Sequence, residues 1–332
     1  MAEKKYLRRA KRYQRALEKG TKAGVRQSAK LSIELQKDII KRYKKGTRSF
    51  TALIENYSML FSVQVELGAV FAHVLGMLLF QREAFKEYED ELNQLQLDEE
   101  EEEAIRELRA LLVSSGFTIL SDRFSRSVEI DNITIKNYAA DVTGMMDEVN
   151  LSQLERQQIV ARYQGNALQA GAEFTKRLDA RVNDAMQDIV LNEMSQTQGV
   201  RRINKAFQLA GTTARHDYWY ETIYRTNMQV AMAAGRQQSA SQPIVSELLW
   251  GYAYVTMHDD RVRPKHAAVD GVKLPKEDLW WQDNFPPNGW NCRCTAVEVF
   301  QEEAVKAPTE EMVSDSPAFE QNWEQPTVIT GL

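Results

Sequence analysis

Apolar positions near the start of the chain recur at helical spacing. Tyr6, Ala10, Tyr13 and Leu17 are separated by four, three and four residues, which places them on one face of a helix over residues 3–19. Gly20 is the expected end of that helix. A second stripe at Leu31, Leu35, Ile39 and Tyr43 closes at Gly46. Residues 51–120 read as a helical body, with Leu53, Ile54, Leu60, Phe61, Val65, Val70, Phe71, Val74, Leu78 and Leu79 as its apolar material. Periodicity lapses over 121–150, where Val128-Glu129-Ile130 and Ile133-Thr134-Ile135 suit short strands or extended loop. It returns at Phe174, Leu178, Val182, Ala185 and Ile189. Residues 195–199 read as a break, and 200–209 as a short helix.

The texture changes after about residue 245. Trp250, Tyr252, Tyr254 and Thr256 alternate with smaller residues, the period of two that marks a strand. Asp270-Gly271 is a turn signal ahead of Val272-Lys273-Leu274. Pro286-Pro287-Asn288-Gly289 is loop chemistry, and Thr295 to Phe300 reads as a last strand. The expected class is α+β, with long helices in the N-terminal two thirds and a small α+β domain near the C-terminus. The expected divisions are a helical arm at 1–50, a helical body at 51–200, the α+β domain at 201–300 and an extended tail at 301–332.

Composition supports the helical reading. Among 332 residues there are only 16 Gly and 8 Pro, so helix breakers are sparse. Two cysteines, Cys292 and Cys294, cannot form a long-range staple, which argues against a secreted, disulfide-built protein. Charge is unevenly spread. Residues 1–48 hold 17 Lys/Arg against 4 Asp/Glu, a net of +13, whereas the remainder nets −18. Lys4, Lys5, Arg8, Arg9, Lys11, Arg12 and Arg15 surround the first apolar stripe. One reading is an arm laid on a dense anion, DNA or an acidic protein, since such cations gain affinity by releasing counterions from phosphates. Others are a solvated basic helix, and an arm folded back on the chain's own acidic run at 98–103. On the first reading, residues 1–48 are removable with the rest of the chain left folded. Residues 67–81 carry no Asp, Glu, Lys or Arg, but a bilayer span needs about 20 apolar residues. Residues 67–80 are therefore expected to form a buried helix rather than a membrane segment.

Candidate chemistry is densest between His258 and Cys294. Cys292, Cys294 and His266 are candidate zinc ligands, because thiolate and imidazole at short spacing suit tetrahedral zinc. The cysteines also read as small buried residues beside a strand start. His258 or His266 as a base with Asp259 or Asp260 on a metal describes a nuclease or hydrolase. No Gly-rich phosphate cradle, G-x-S-x-G or H-E-x-x-H is present, and an enzyme is not expected. The remaining reading is architectural. Asp259 and Asp260 accept hydrogen bonds from backbone or from Arg261 and Arg293, and Trp250, Trp280, Trp281 and Trp290 supply core area.

Tyr254 through Gly271, with Asp259, Arg261, Asp270 and Gly271, followed by Pro286-Pro287 and Asn291-Cys292-Arg293-Cys294, resembles the signature of the phage Mu F-like minor head proteins. The upstream segment Tyr224-Arg225-Thr226-Asn227 through Ala234-Gly235-Arg236 is similar to that family's as well. The resemblance covers about residues 200–300. Many family members carry cysteines where this chain has Arg263 and His266; Val269 stands for a leucine, and Gly289-Trp290 for a His-Pro.

The resemblance implies a structural virion component of a tailed bacteriophage or prophage. It would work in head morphogenesis and in the early fate of packaged DNA, near the portal vertex or inside the head, after assembly in the host cytoplasm. Implied partners are the portal protein, the major capsid or scaffold protein, and DNA bound without sequence preference. The motif residues Arg225, Thr226, Asp259, Arg261, Asp270, Gly271, Asn291 and Arg293 are then structural. Two rivals are a metal-dependent DNA-processing enzyme centred on His258, Asp259 and His266, and a membrane-active ejection protein using residues 59–80.

Overall fold

The computed structural model describes residues 2–92, 144–149, 151–211, 218–300 and 302–308. The acidic run at 98–103, the candidate strands at 128–135 and most of the C-terminal tail lie outside them.

The first helix, α1, runs unbroken over Ala2–Lys44. The two apolar stripes expected as separate helices form one buried face, because small residues continue it between them. Thr21, Ser28 and Ser32 are all buried, and Gly20 and Gly24 lie on the same face. Gly20 is not a terminus. A Cβ there would meet the Met228 side chain, and one at Gly24 would meet the Tyr224 ring. Each glycine costs a helix interior about 1 kcal/mol relative to alanine, and here they admit a neighbouring helix at close range. Ser28 and Tyr224 share a hydrogen bond of 2.9 Å across that contact.

That neighbour is α5 (Tyr218–Ala240). It packs along α2 (Thr51–Leu92), which in turn packs on α3 (Gln153–Leu191). Capping boxes open α3 at Ser152/Glu155 and α4 (Gln196–Leu209) at Ser195/Gln198. The break expected at 195–199 therefore falls slightly earlier, ahead of the Ser195 cap. The helical core is sealed by aromatic contacts. Phe61 stacks on Phe174 and Trp219 at centroid distances of 5.3 and 5.5 Å. The α2–α5 crossing is close enough that a Cβ at Gly76 or Gly235 would strike the backbone carbonyl of Met232 or His73. At the same crossing His73 is wholly buried. Its Nδ1 lies 2.6 Å from the Tyr163 hydroxyl and its Nε2 2.8 Å from Gln238 Oε1, so one imidazole joins α2, α3 and α5. Burial pulls its pKa down to about 4.

The helix α2 is long and apolar enough to cross a membrane by length and composition. In the fold, 78% of its apolar window is buried within the protein, in line with the expected core helix.

After the short α6 (Pro243–Leu248) the chain forms a three-stranded antiparallel sheet in the order β2-β1-β3. The strands are β1 (Gly251–Val255), β2 (Lys273–Pro275) and β3 (Thr295–Val299). Two short helices, α7 (Pro264–Ala268) and α8 (Trp280–Asn284), fill the connections. Every residue of β1 and β3 is buried, because both faces of the sheet are covered. Tyr252 and Tyr254 pack with Trp281, Phe285 and Phe80 on one side. Ala253, Val255, Val297 and Val299 pack with Tyr6 and Ala10 of α1 on the other. Residues 1–50 are thus not a detachable arm: α1 closes one face of the sheet and contributes to the helical core. Removing residues 1–48 would expose both.

Candidate functional site

A buried charge network fastens the sheet to the helices. Arg236 of α5 donates from Nε to Glu298 Oε1 at 2.8 Å and also bonds the Ala296 carbonyl. Tyr13 donates to Glu298 Oε2 at 3.2 Å, and the Arg236 guanidinium lies 4.2 Å from the Tyr13 ring centroid. Arg9 donates to the Glu298 carbonyl at 2.9 Å, while its Nε sits 3.2 Å from Glu83, which also pairs with Arg12. Arg9, Glu83, Arg236 and Glu298 are all buried. This corrects the expectation that Arg9 is a surface cation for an anionic partner, and Arg12 is committed to the same internal pairing. Lys4, Lys5, Arg8, Lys11 and Arg15 are exposed.

The motif residues are tied into local clamps. Arg293 grips Asp259 with two hydrogen bonds of 2.6 and 2.7 Å, and Asp259 also accepts from the Arg261 amide at 3.1 Å. The Arg293 hydrogen bonds pull the Asp259 pKa down to about 2. Asp270 accepts from the Thr256 amide at 2.7 Å and lies 2.7 Å from His258 Nε2. Gly271 adopts φ +77°, where its amide reaches the Tyr254 carbonyl at 2.7 Å. Asn291 donates from its side chain to Thr222 Oγ1 at 3.1 Å and from its amide to Thr226 Oγ1 at 3.3 Å, which fastens the cysteine loop to α5. Arg225 pairs with Glu221 one turn away.

His266, Cys292 and Cys294 converge. His266 Nδ1 lies 3.2 Å from Cys294 Sγ and 3.6 Å from Cys292 Sγ. All three residues are buried. Pro264 opens α7 and fixes the backbone that carries His266, while Cys292 and Cys294, two apart between the Gly289–Asn291 turn and β3, present their sulfurs together. For Cys292, burial acts upward but is overcome by hydrogen bonds from Cys294 and His266, which hold this thiol well below the ordinary range. The hydrogen bond with Cys292, with burial, pushes Cys294 up. The donor set suits a soft divalent metal. Arg263 is not part of it, because its guanidinium donates to the Trp290 carbonyl at 2.6 Å. A cavity of ≈360 Å3 opens beside the cluster, with Arg225, Arg261 and Arg293 among its walls. These three also line a second cavity of ≈270 Å3 that reaches Lys11 and Arg15 of α1.

The centre expected for a nuclease does not assemble. His258 is turned to Asp270, Asp259 to Arg293, and His266 to the cysteines.

Residues 184–297 match the family model described as Phage Mu protein F like protein. The chain carries a Mu F-like domain. The match begins earlier than the expected 201–300 domain, inside the last turns of α3, takes in α4, α5, β1 and β2, and ends within β3. The chain is 41% identical over 73 residues to the putative capsid assembly protein F of Escherichia phage Mu, covering 22% of this chain and 16% of that protein. It is 37% identical over 86 residues to the Mu-like prophage FluMu F protein of Haemophilus influenzae, covering 26% and 20%. The aligned region thus spans a fifth or less of the length of these curated relatives. No solved structure matches the chain.

The Arg236–Glu298 pair escaped the sequence reading. Arg236 stood in the resembling segment without a role, and Glu298 sat within an apolar strand pattern. The one available signal was that strand, where a carboxylate flanked by valines on a buried strand demands a cation.

Proposed function

We propose that this chain is a structural component in the assembly of a tailed-phage head, working at the portal vertex or on the inner head surface. The observation that carries the reading is the match of residues 184–297, which hold the clamps, to the Mu F-like family model, together with the 41% identity over 73 residues to a protein named for capsid assembly. The clamp residues spend their hydrogen bonds on one another and on backbone, as an architectural domain requires. On this reading the chain engages portal, major capsid or scaffold protein during assembly in the host cytoplasm, and touches packaged DNA without sequence preference.

The DNA contact rests on the outer face of α1. Lys4, Arg8, Lys11, Arg15, Lys22, Arg26, Lys30, Lys37 and Lys41 are all exposed and follow helical spacing. At about 1.5 Å per residue this stripe runs for roughly 55 Å, facing a polyanion with one charge per about 1.7 Å of duplex. Neutralising Lys4, Arg8, Lys11 and Arg15 together is expected to weaken DNA retention and flatten its salt dependence by about 0.9 per lost phosphate contact. Circular dichroism and thermal melting of the variant should be unchanged, because all four side chains are exposed. Identical salt dependence in the variant and the parent would remove DNA from the account. Deleting the gene from its phage or prophage tests the assembly role. The expected result is a lysate without normal DNA-filled heads, and normal filled heads would contradict it.

A further inference from the structure

We propose that His266, Cys292 and Cys294 bind one zinc ion through Nδ1 and two thiolates, leaving a fourth coordination position open to the arginine-lined cavity. The inference stands on geometry and is independent of the assembly role.

Three ligand atoms from two separate segments lie within 4.8 Å of one another. Zinc–sulfur bonds of about 2.3 Å and zinc–nitrogen bonds of about 2.0–2.1 Å at tetrahedral angles require nitrogen–sulfur separations of about 3.6 Å. The observed separations are 3.2 and 3.6 Å. The ion therefore fits with adjustments of a few tenths of an ångström. The clamps described above hold this geometry. Asn291 pins the residue before Cys292 to α5, and Arg293, between the two cysteines, is held by Asp259. The arginine between the ligands points to Asp259 while both sulfurs face His266.

Among the described residues no fourth Cys, His, Asp or Glu joins the cluster. The cavity is lined by all three ligand residues and supplies the remaining direction. Zinc with three protein ligands keeps a water or an exchangeable ligand in the fourth position. Arg225 pairs with Glu221 and Arg293 with Asp259, but the four arginines of the cavity wall, Arg225, Arg261, Arg263 and Arg293, outnumber its one carboxylate, Glu221, so the net basic wall favours a ligand with an anionic oxygen.

The test uses the full chain, purified under reducing conditions and loaded with zinc. Elemental analysis is expected to give one zinc per chain, and zinc should raise Tm, since binding free energy adds to folding free energy. Cobalt(II) in place of zinc should give the thiolate-to-metal absorption and the intense visible bands of a tetrahedral site. Cys292→Ser, Cys294→Ser and His266→Ala should each lose the metal. Because those variants are buried and can misfold, a second measurement uses the unaltered chain. Removing zinc with a chelator should expose both thiols to alkylation, and restoring zinc should protect them. Zinc below stoichiometry after loading, with no cobalt–thiolate absorption and alkylation indifferent to zinc, would overturn the proposal.

Discussion

Two kinds of charged contact hold the Mu F-like domain, and they differ in energy because they differ in burial. Arg293 and Asp259 meet at the surface, where solvent screening limits an ion pair to about 1 kcal/mol or less. Arg236 and Glu298 meet in the interior, with side chains 5% and 1% exposed. Their attraction offsets a desolvation cost that neither meets alone. Removing one partner leaves an uncompensated buried charge and costs about 3–5 kcal/mol. Glu298→Ala is expected to destabilise the chain by that amount in urea unfolding, and Asp259→Asn by far less. Equal effects would contradict the account of burial. Asp259, Asp270 and Arg293 were legible in the sequence because a polar loop with an Asp-Gly turn advertises its charged side chains, and Asn291 was legible through the resemblance to the Mu F-like signature. Arg236 and Glu298 were not, because they lie 62 residues apart. Only the folded chain, with the Arg236 side chain reaching from α5 to β3, brings them together.

Among elements, α1 is the instructive case. Its apolar spacing was legible at both ends. Its continuity was not, because Gly20, Thr21, Gly24 and Ser28 carry no hydrophobic signal and yet form the closest part of the α1–α5 contact. The buried face shows only once a partner helix needs room. The α2–α3–α5 junction at His73 carries a pH consequence. The imidazole's folded pKa is about 4, below the unfolded value of about 6.5. The unfolded chain therefore binds the extra proton first as pH falls. The contribution of neutral His73 is fully present above about pH 6.5 and is lost as pH falls toward 4, amounting to about 3 kcal/mol across that window. Stability measured by denaturant unfolding at pH 7, 5.5 and 4.5 should fall accordingly, and His73→Gln should flatten the dependence. An unchanged slope in that variant would refute this role for the imidazole.

Over the whole molecule, the charge asymmetry of the sequence becomes a two-sided helix. One side of α1 is built into the helical core and the sheet, and the other is a long row of exposed lysines and arginines. Net charge alone suggested a separable arm; packing made it a wall of the fold that faces outward with its cations. On the proposed reading, this rigid attachment is what would hold the cations against packaged DNA. The most direct test is quantitative mass spectrometry of purified particles from the phage or prophage that encodes this chain. The account predicts the polypeptide in DNA-filled heads, at few copies relative to the major capsid protein. Its absence from both filled particles and head precursors would contradict it.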